Sequence, residues 1–179
     1  MDDRFVEENV RHRLILSGIA ELEEHGIADF SLRRAAMGAQ VSCAAPYRHF
    51  KSKEEYINQI ILYVGSKWEL LSKEICMIFK DDPAALVREL CVANLRFRIA
   101  NRNFPLALAH THDSGKTIDE SVEAAVFDYC KARGLDESET ELKAFTALTL
   151  IYGAVSMLCD DNTENILLLI GKKLREEFK

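Results

Sequence analysis

Residues 30–57 read FSLRRAAMGAQVSCAAPYRHFKSKEEYI, and this stretch decides the fold. Ser31 stands immediately before Leu32, where a serine hydroxyl accepts a backbone N–H and opens a helix. The spacing predicts a short helix from Leu32 to about Ala39, with Phe30 as an apolar anchor ahead of the cap. Ser42 is the next cap and opens a second short helix to about His49. Between them Ala39-Gln40-Val41 fits the tight turn of a helix-turn-helix, whose second helix enters the DNA major groove while the first crosses the backbone. Pro46 is the fourth helical residue counted from Ser42, so its missing N–H moves the effective start a residue or two later. Ser52 with Glu55 forms a capping box that starts a long helix.

Charge singles out the same stretch. The chain of 179 residues carries a formal charge of −6, which opposes contact with nucleic acid. From Phe30 to Lys53, however, there is no acid and there are five bases, Arg33, Arg34, Arg48, Lys51 and Lys53, so the remainder carries −11. A basic island on an acidic protein is the pattern of a local polyanion contact, with repulsion elsewhere limiting unspecific adhesion.

Upstream, Val6, Val10, Leu14, Ile15, Ile19 and Leu22 recur at helical spacing, and Gly26 is the stop after His25. Downstream, Ile57, Ile60, Ile61, Val64, Trp68, Leu71, Ile75 and Ile78 form an apolar stripe that carries the fourth helix to about Phe79. Asp82-Pro83 restarts the chain in cap-then-proline order for a helix to about Asn101. A short helix is expected around Pro105 to His110. Longer ones follow from Ile118 to Ala132, from Glu139 to Cys159 with Ser138 and Glu141 as a capping box, and from Glu164 to Phe178. The class is therefore all-α. The division expected is 1–51 for a DNA-binding head and 52–179 for a body that binds ligand and dimerises.

Composition supports an ordinary globular chain, with 48% hydrophobic and 29% charged residues and only 3 prolines and 8 glycines. The opening MDDRFVEENVRHR has no apolar run, so no secretory leader is expected, and no stretch approaches the roughly 18 apolar residues of a membrane span. A cytoplasmic location without membrane contact follows. The 5 cysteines, Cys43, Cys76, Cys91, Cys130 and Cys159, form no C-x-x-C pair, so reduced thiols are expected and no metal site or cofactor is indicated.

The run from Phe30 to Ile57, with VS…YRHFKSKEE as its strongest part, resembles the DNA-binding head of the TetR family of transcriptional regulators. Arg13, Ile15, Leu22 and Gly26 extend the likeness over roughly residues 10 to 60. The resemblance implies nine helices, three for DNA and six for ligand and dimer contacts, in a dimeric, ligand-responsive regulator, by family habit a repressor, bound to a near-palindromic stretch of double-stranded DNA. Carried over by position, Ser31 and Arg33 would touch DNA from the first helix of the motif, and Ser42 would open the second. Cys43, Ala44 and Ala45 would face base edges, and Tyr47, His49 and Lys53 would hold phosphates. Two departures stand out. Gln40 occupies the place where the family usually has glycine, which strains a left-handed turn. The small residues at 43–45 make few bidentate hydrogen bonds, so readout leans on Arg33, Arg48 and DNA shape.

The body supplies the expected effector site. Trp68, Leu71, Ile75, Phe97, Phe104, Leu108, Phe127, Phe145 and Tyr152 are more large apolar side chains than a thin packing needs, with Asn94, Arg98, His110, His112 and Tyr152 as polar partners. A cavity bounded by the fourth helix would suit a small apolar or aromatic molecule with one or two hydrogen-bonding groups. The helix from Glu139 has two apolar faces, one with Leu142, Phe145, Thr149, Tyr152 and Val155 and one with Ala144, Ala147, Ile151, Ala154 and Leu158. A surface helix needs one stripe, so the last two helices are expected to pair across a homodimer. Two other classes stay open at this point: an architectural DNA-binding protein without a ligand, and a helical enzyme with a metal on His110, His112 and Asp113. No G-x-S-x-G or glycine-rich phosphate loop supports an enzyme.

Overall fold

The computed structural model describes residues 3–101, 118–157 and 162–179, with side chains from residue 8 onward. Among the described residues there are eight helices and no strand: α1 (Asp3–His25), α2 (Leu32–Gly38), α3 (Ala45–His49), α4 (Lys53–Ile78), α5 (Pro83–Ala100), α6 (Ile118–Arg133), α7 (Glu137–Met157) and α8 (Thr163–Glu177). The all-helical expectation holds. The short helix expected around Pro105 lies outside the described residues.

The helix starts follow local chemistry. Ser31 Oγ accepts from Arg34 N, and Asp82 Oδ1 accepts from Ala85 N at 2.9 Å. Ser52 Oγ accepts from Glu55 N at 3.1 Å, while the Glu55 carboxylate reaches back to Lys51 N at 2.6 Å. At α7 the box is not Ser138 with Glu141. Asp136 Oδ1 accepts from Glu139 N at 2.8 Å, and Asp136 N donates to Glu139 Oε2 at 3.0 Å. Two overlapping patterns compete here, and the acidic pair takes the helix start two residues earlier.

The chain divides into two compact units, with the boundary inside α4 between Ser66 and Lys67. The first contains α1, α2, α3 and the start of α4. Its centre is aromatic: Phe50 and Tyr56 stack with centroids 4.1 Å apart, and Phe30 meets Tyr56 edge-on at 5.3 Å. The Tyr56 hydroxyl donates to Leu14 O at 2.5 Å, which satisfies the one polar atom of a buried ring. Burial, and then the Glu21 charge, push this phenol above its ordinary range. Gly18 lets α4 approach α1, because a Cβ there would sit 2.5 Å from Ile60 Cδ1. Tyr56 and Ile60 lie beyond position 51, which is why the compact unit continues past the break expected from the sequence.

The second unit packs α5, α6, α7 and α8 with the rest of α4. Val87, Leu90 and Cys91 of α5, Val122, Val126 and Cys130 of α6, and Ala147 and Ile151 of α7 meet Leu174 and Phe178 at the chain's end. Each set recurs at three or four residues, the spacing of one helix face. The end is pinned: Arg88 Nη1 donates to Phe178 O at 2.6 Å, and Lys143 Nζ reaches Glu177 Oε1 at 2.6 Å. The two faces read from α7 separate as their pattern requires. Ala147, Ile151 and Ala154 are buried, while Leu142, Phe145 and Tyr152 are exposed, as are Leu168 and Leu169 on α8. Leu158 and Cys159 lie outside the described residues.

Candidate functional site

In the first unit α2 and α3 are joined by a turn that closes as a Schellman motif. Val41 N donates to Ala36 O and Gln40 N to Met37 O, both at 3.0 Å. Gln40 sits at φ 55, the left-handed conformation in which a side chain is strained. The strained residue is held from α1, where Arg13 Nη2 donates to the Gln40 carbonyl at 3.3 Å. Glutamine therefore keeps the glycine-like turn rather than rearranging it.

A buried carboxylate orients α2. Glu21 of α1 accepts from Ser31 N at 3.0 Å and from Arg34 Nε at 2.8 Å, and Arg34 Nη2 lies 2.5 Å from its Oε1. Arg34 also donates to Asp29 O at 2.6 Å. Burial raises the Glu21 carboxyl, but the Arg34 hydrogen bonds, the Ser31 N–H and the guanidinium charge outweigh it, so the group lies below its ordinary range. Arg34 is thus tied to an acid of the head while still exposed, and Arg33 and Arg48 are exposed as well.

Helix α3 starts at Ala45, later than Ser42, with Pro46 in its first turn. Ser42, Cys43 and Ala44 precede it on exposed backbone, and Ser42 O accepts from Ala45 N. Ala45 is only 8% exposed, so the sequence reading that set it against base edges is corrected: its methyl packs into the head. Tyr47 is 69% exposed and Arg48 follows it outward, while Ser31 and His49 are half-buried. Lys53 is half-buried too, with Nζ 3.3 Å from Ala28 O and 6.0 Å from the Phe30 ring centroid. An exposed strip of Arg33, Cys43, Ala44, Tyr47 and Arg48 therefore surrounds a turn and a helix start, without an acid among them.

The second unit holds a closed polar cluster. Asn94 Oδ1 accepts from Arg98 Nε at 2.8 Å, and Arg98 Nη2 donates to Asp119 Oδ1 at 2.8 Å and Tyr152 Oη at 3.2 Å. The Tyr152 hydroxyl donates to Asp119 Oδ2 at 2.5 Å. Burial and then the Asp119 hydrogen bond raise that phenol, with the Arg98 charge opposing. Close by in the fold, Trp68 meets the Phe97 ring at 5.4 Å. Its indole N–H is buried without an acceptor among the described residues.

No protein-family model matches the sequence. Residues of this chain align at 30% identity over 87 positions with a protein named "Probable acrEF/envCD operon repressor" from Escherichia coli, covering 49% of this chain and 40% of that one. The chain thus matches less than half the length of this curated relative. Among solved structures, a TetR transcription regulator from Haloarcula marismortui superimposes with a TM-score of 0.71 at 17% identity, covering 96% of this chain and 97% of that one. The fold is that of the TetR regulators. A transcriptional regulator FadR from Bacillus subtilis, solved in complex with stearoyl-CoA, agrees at a TM-score of 0.67 and 12% identity over 94% of this chain and 97% of that one.

Set on the TetR fold, the effector residues expected from the sequence scatter. Asn94, Arg98 and Tyr152 come together, and Trp68 meets Phe97. Ile75 packs against the body core, while Leu71 lies at the surface. Phe127 and Phe145 are 58% and 68% exposed, so neither lines an interior cavity; their helix positions turn them outward. Phe104, Leu108, His110 and His112, with Asp113 of the weighed metal site, lie outside the described residues. An open groove of about 810 Å³ lies between α6 and α7, lined by no residue of α4. Two residues went unread in the sequence. Asp119 looked like an ordinary acid in a helix's first turn, and Glu21 like a surface acid of an amphipathic helix; only the cations opposite them give them roles.

Proposed function

We propose that the chain is a TetR-family transcriptional regulator, a repressor that grips near-palindromic duplex DNA as a homodimer and is released by a small effector. The observation that carries this reading is the acid-free strip around the α2–α3 turn, on which Arg33, Tyr47 and Arg48 face solvent. Arg33, Arg48 and the small Cys43 and Ala44 would meet base edges, while Tyr47, His49 and Lys53 would donate to phosphates and Ser31 and Ser42 would flank them. The head at 1–51 would act on DNA and the body at 52–179 on effector and partner, in the cytoplasm where the DNA is. Among the described residues no helix is long and apolar enough to cross a membrane.

The homodimer reading rests on the exposed apolar face of α7 and on Leu168 and Leu169 of α8, surface that a monomer leaves wet. The effector reading rests on the orphan Trp68 N–H beside Phe97 and on the paired Arg98 and Asp119, whose charges cancel. Both favour an apolar or aromatic molecule with one hydrogen-bond acceptor over a strongly charged one. Differential affinity of such a molecule for two spacings of the heads suffices to release DNA.

Selection of random duplexes on the purified chain, followed by sequencing, tests the proposal. Enrichment of an inverted repeat with half-sites about one helical turn apart is expected. Failure to enrich any duplex at low salt would overturn it.

A further inference from the structure

The groove between α6 and α7 is lined by apolar and acidic side chains. Phe127, Ala124 and Ala144 line it together with the acids Glu123, Glu137 and Glu141 and one base, Lys131. Phe127 lies on α6, so pairing the last two helices alone would leave this large ring exposed to water. Aromatic surface of that size beside other exposed apolar residues marks a contact rather than a resting surface.

The same chain carries the complementary strip. On the outer face of α8, Leu168 and Leu169 are exposed, and Lys172 and Arg175 follow one and two turns later, without an ion pair among the described residues. The α8 strip from Leu168 to Arg175 runs about 10 Å at 1.5 Å per residue and so fits within the α6 wall of about 16 Å from Glu120 to Lys131. Apolar meets apolar and acid meets base in the same order of size.

We propose that a second copy of the chain lays its α8 into this groove, with Leu168 and Leu169 over Phe127 and Ala144, and Lys172 and Arg175 against the glutamates. This rests on the homodimer reading above and adds α6 to the interface. Under two-fold symmetry each copy fills the other's groove, so every contact occurs twice. Leu142 and Phe145 lie between the two grooves and are covered as a consequence.

The test is sedimentation of the full chain over a dilution series. Phe127→Ala, Glu141→Lys and Lys172→Glu should each raise the dimer Kd about tenfold or more, and the pair Glu141→Lys with Lys172→Glu should return it to within roughly threefold of the parent. All three positions are on the surface, and unchanged circular dichroism will show that the variants fold. Leu142→Ala with Phe145→Ala separates the readings. A dimer weakened by that pair but untouched by Phe127→Ala and Glu141→Lys would overturn the groove and leave the dimer standing. A parent chain that stays monomeric at all concentrations would overturn both. Complete thiol labelling of Phe127→Cys within the intact dimer, located by peptide mass, would show the groove open to some other partner and likewise overturn the proposal.

Discussion

The Glu21 carboxylate holds Arg34 by two hydrogen bonds to Nε, at 2.8 and 3.1 Å, and accepts the Ser31 N–H with the same Oε1. One buried acid on α1 thereby fixes the start of α2 and anchors an arginine that itself stays exposed. Glu21→Ala should cost about 1–3 kcal/mol, because the Ser31 N–H loses its acceptor in a half-buried place. The pH dependence follows from the carboxyl's lowered pKa. The stabilisation is complete above the ordinary carboxylate range and is lost as pH falls through the depressed folded value. Urea titrations of parent and variant should converge in acid; a constant gap down to pH 2–3, by this linkage, would contradict the role.

Gln40 at φ 55 sets up the second prediction. Gln40→Gly should raise stability by roughly 1 kcal/mol, the αL strain relieved less the added freedom of the unfolded glycine. Gln40→Val should lower it, since a β-branched residue tolerates that conformation worst. Thermal unfolding of the three chains orders them Gly above Gln above Val. Any other order would mean that left-handed strain at position 40 does not set the stability of the turn.

The local features were legible in the sequence because the groups that make them are neighbours. Ser31, Ser52 and Asp82 bond to an N–H three residues on, and the residue types announce it. Gln40 was readable as a strained turn by its place alone. Ala45 was not, since its burial depends on where α1 and α4 lie rather than on its own neighbours. The same holds for Phe127 and Phe145: an aromatic on a helix is equally at home in a core or an interface, and only the partner helices decide which face is turned in. Asp119 needed Arg98, twenty-one residues away along the chain, before it meant anything.

Lys53 offers a third test, sharpened by its 3.3 Å contact with the Ala28 carbonyl. Lys53→Ala should weaken binding to any duplex and reduce the slope of log K against log salt by about one unit. Arg33→Ala should instead relax preference at particular bases. Anisotropy titrations at several salt concentrations separate the two. An unchanged slope for Lys53→Ala would mean that the ammonium stays on Ala28 when DNA is bound.

The Asp119 cluster predicts unequal costs. Asp119→Ala leaves the buried Arg98 guanidinium without its counter-charge and should cost about 3–5 kcal/mol. Tyr152→Phe removes the bond given to Asp119 and the one accepted from Arg98 at a partly exposed ring and should cost about 1–3 kcal/mol. Denaturant unfolding of both variants checks the order. Equal small losses would mean that Arg98 finds water once Asp119 is gone.

Trp68 is the one tryptophan in the chain, so its fluorescence reports on a single place. The ring is 3% exposed and its N–H has no acceptor among the described residues, a donor that an effector bearing an acceptor would satisfy. An effector found by thermal-shift screening should therefore shift the emission on binding. Trp68→Phe keeps an aromatic ring beside Phe97 but removes the donor, and it should weaken that effector about tenfold, the worth of one hydrogen bond of roughly 1.4 kcal/mol. Affinity of the ligand-free variant for DNA should stay within a few-fold of the parent, because the change lies in the second unit. Calorimetry on parent and variant with the same molecule gives the ratio directly. Equal affinities would place the effector's polar group away from Trp68 and leave the orphan N–H unexplained.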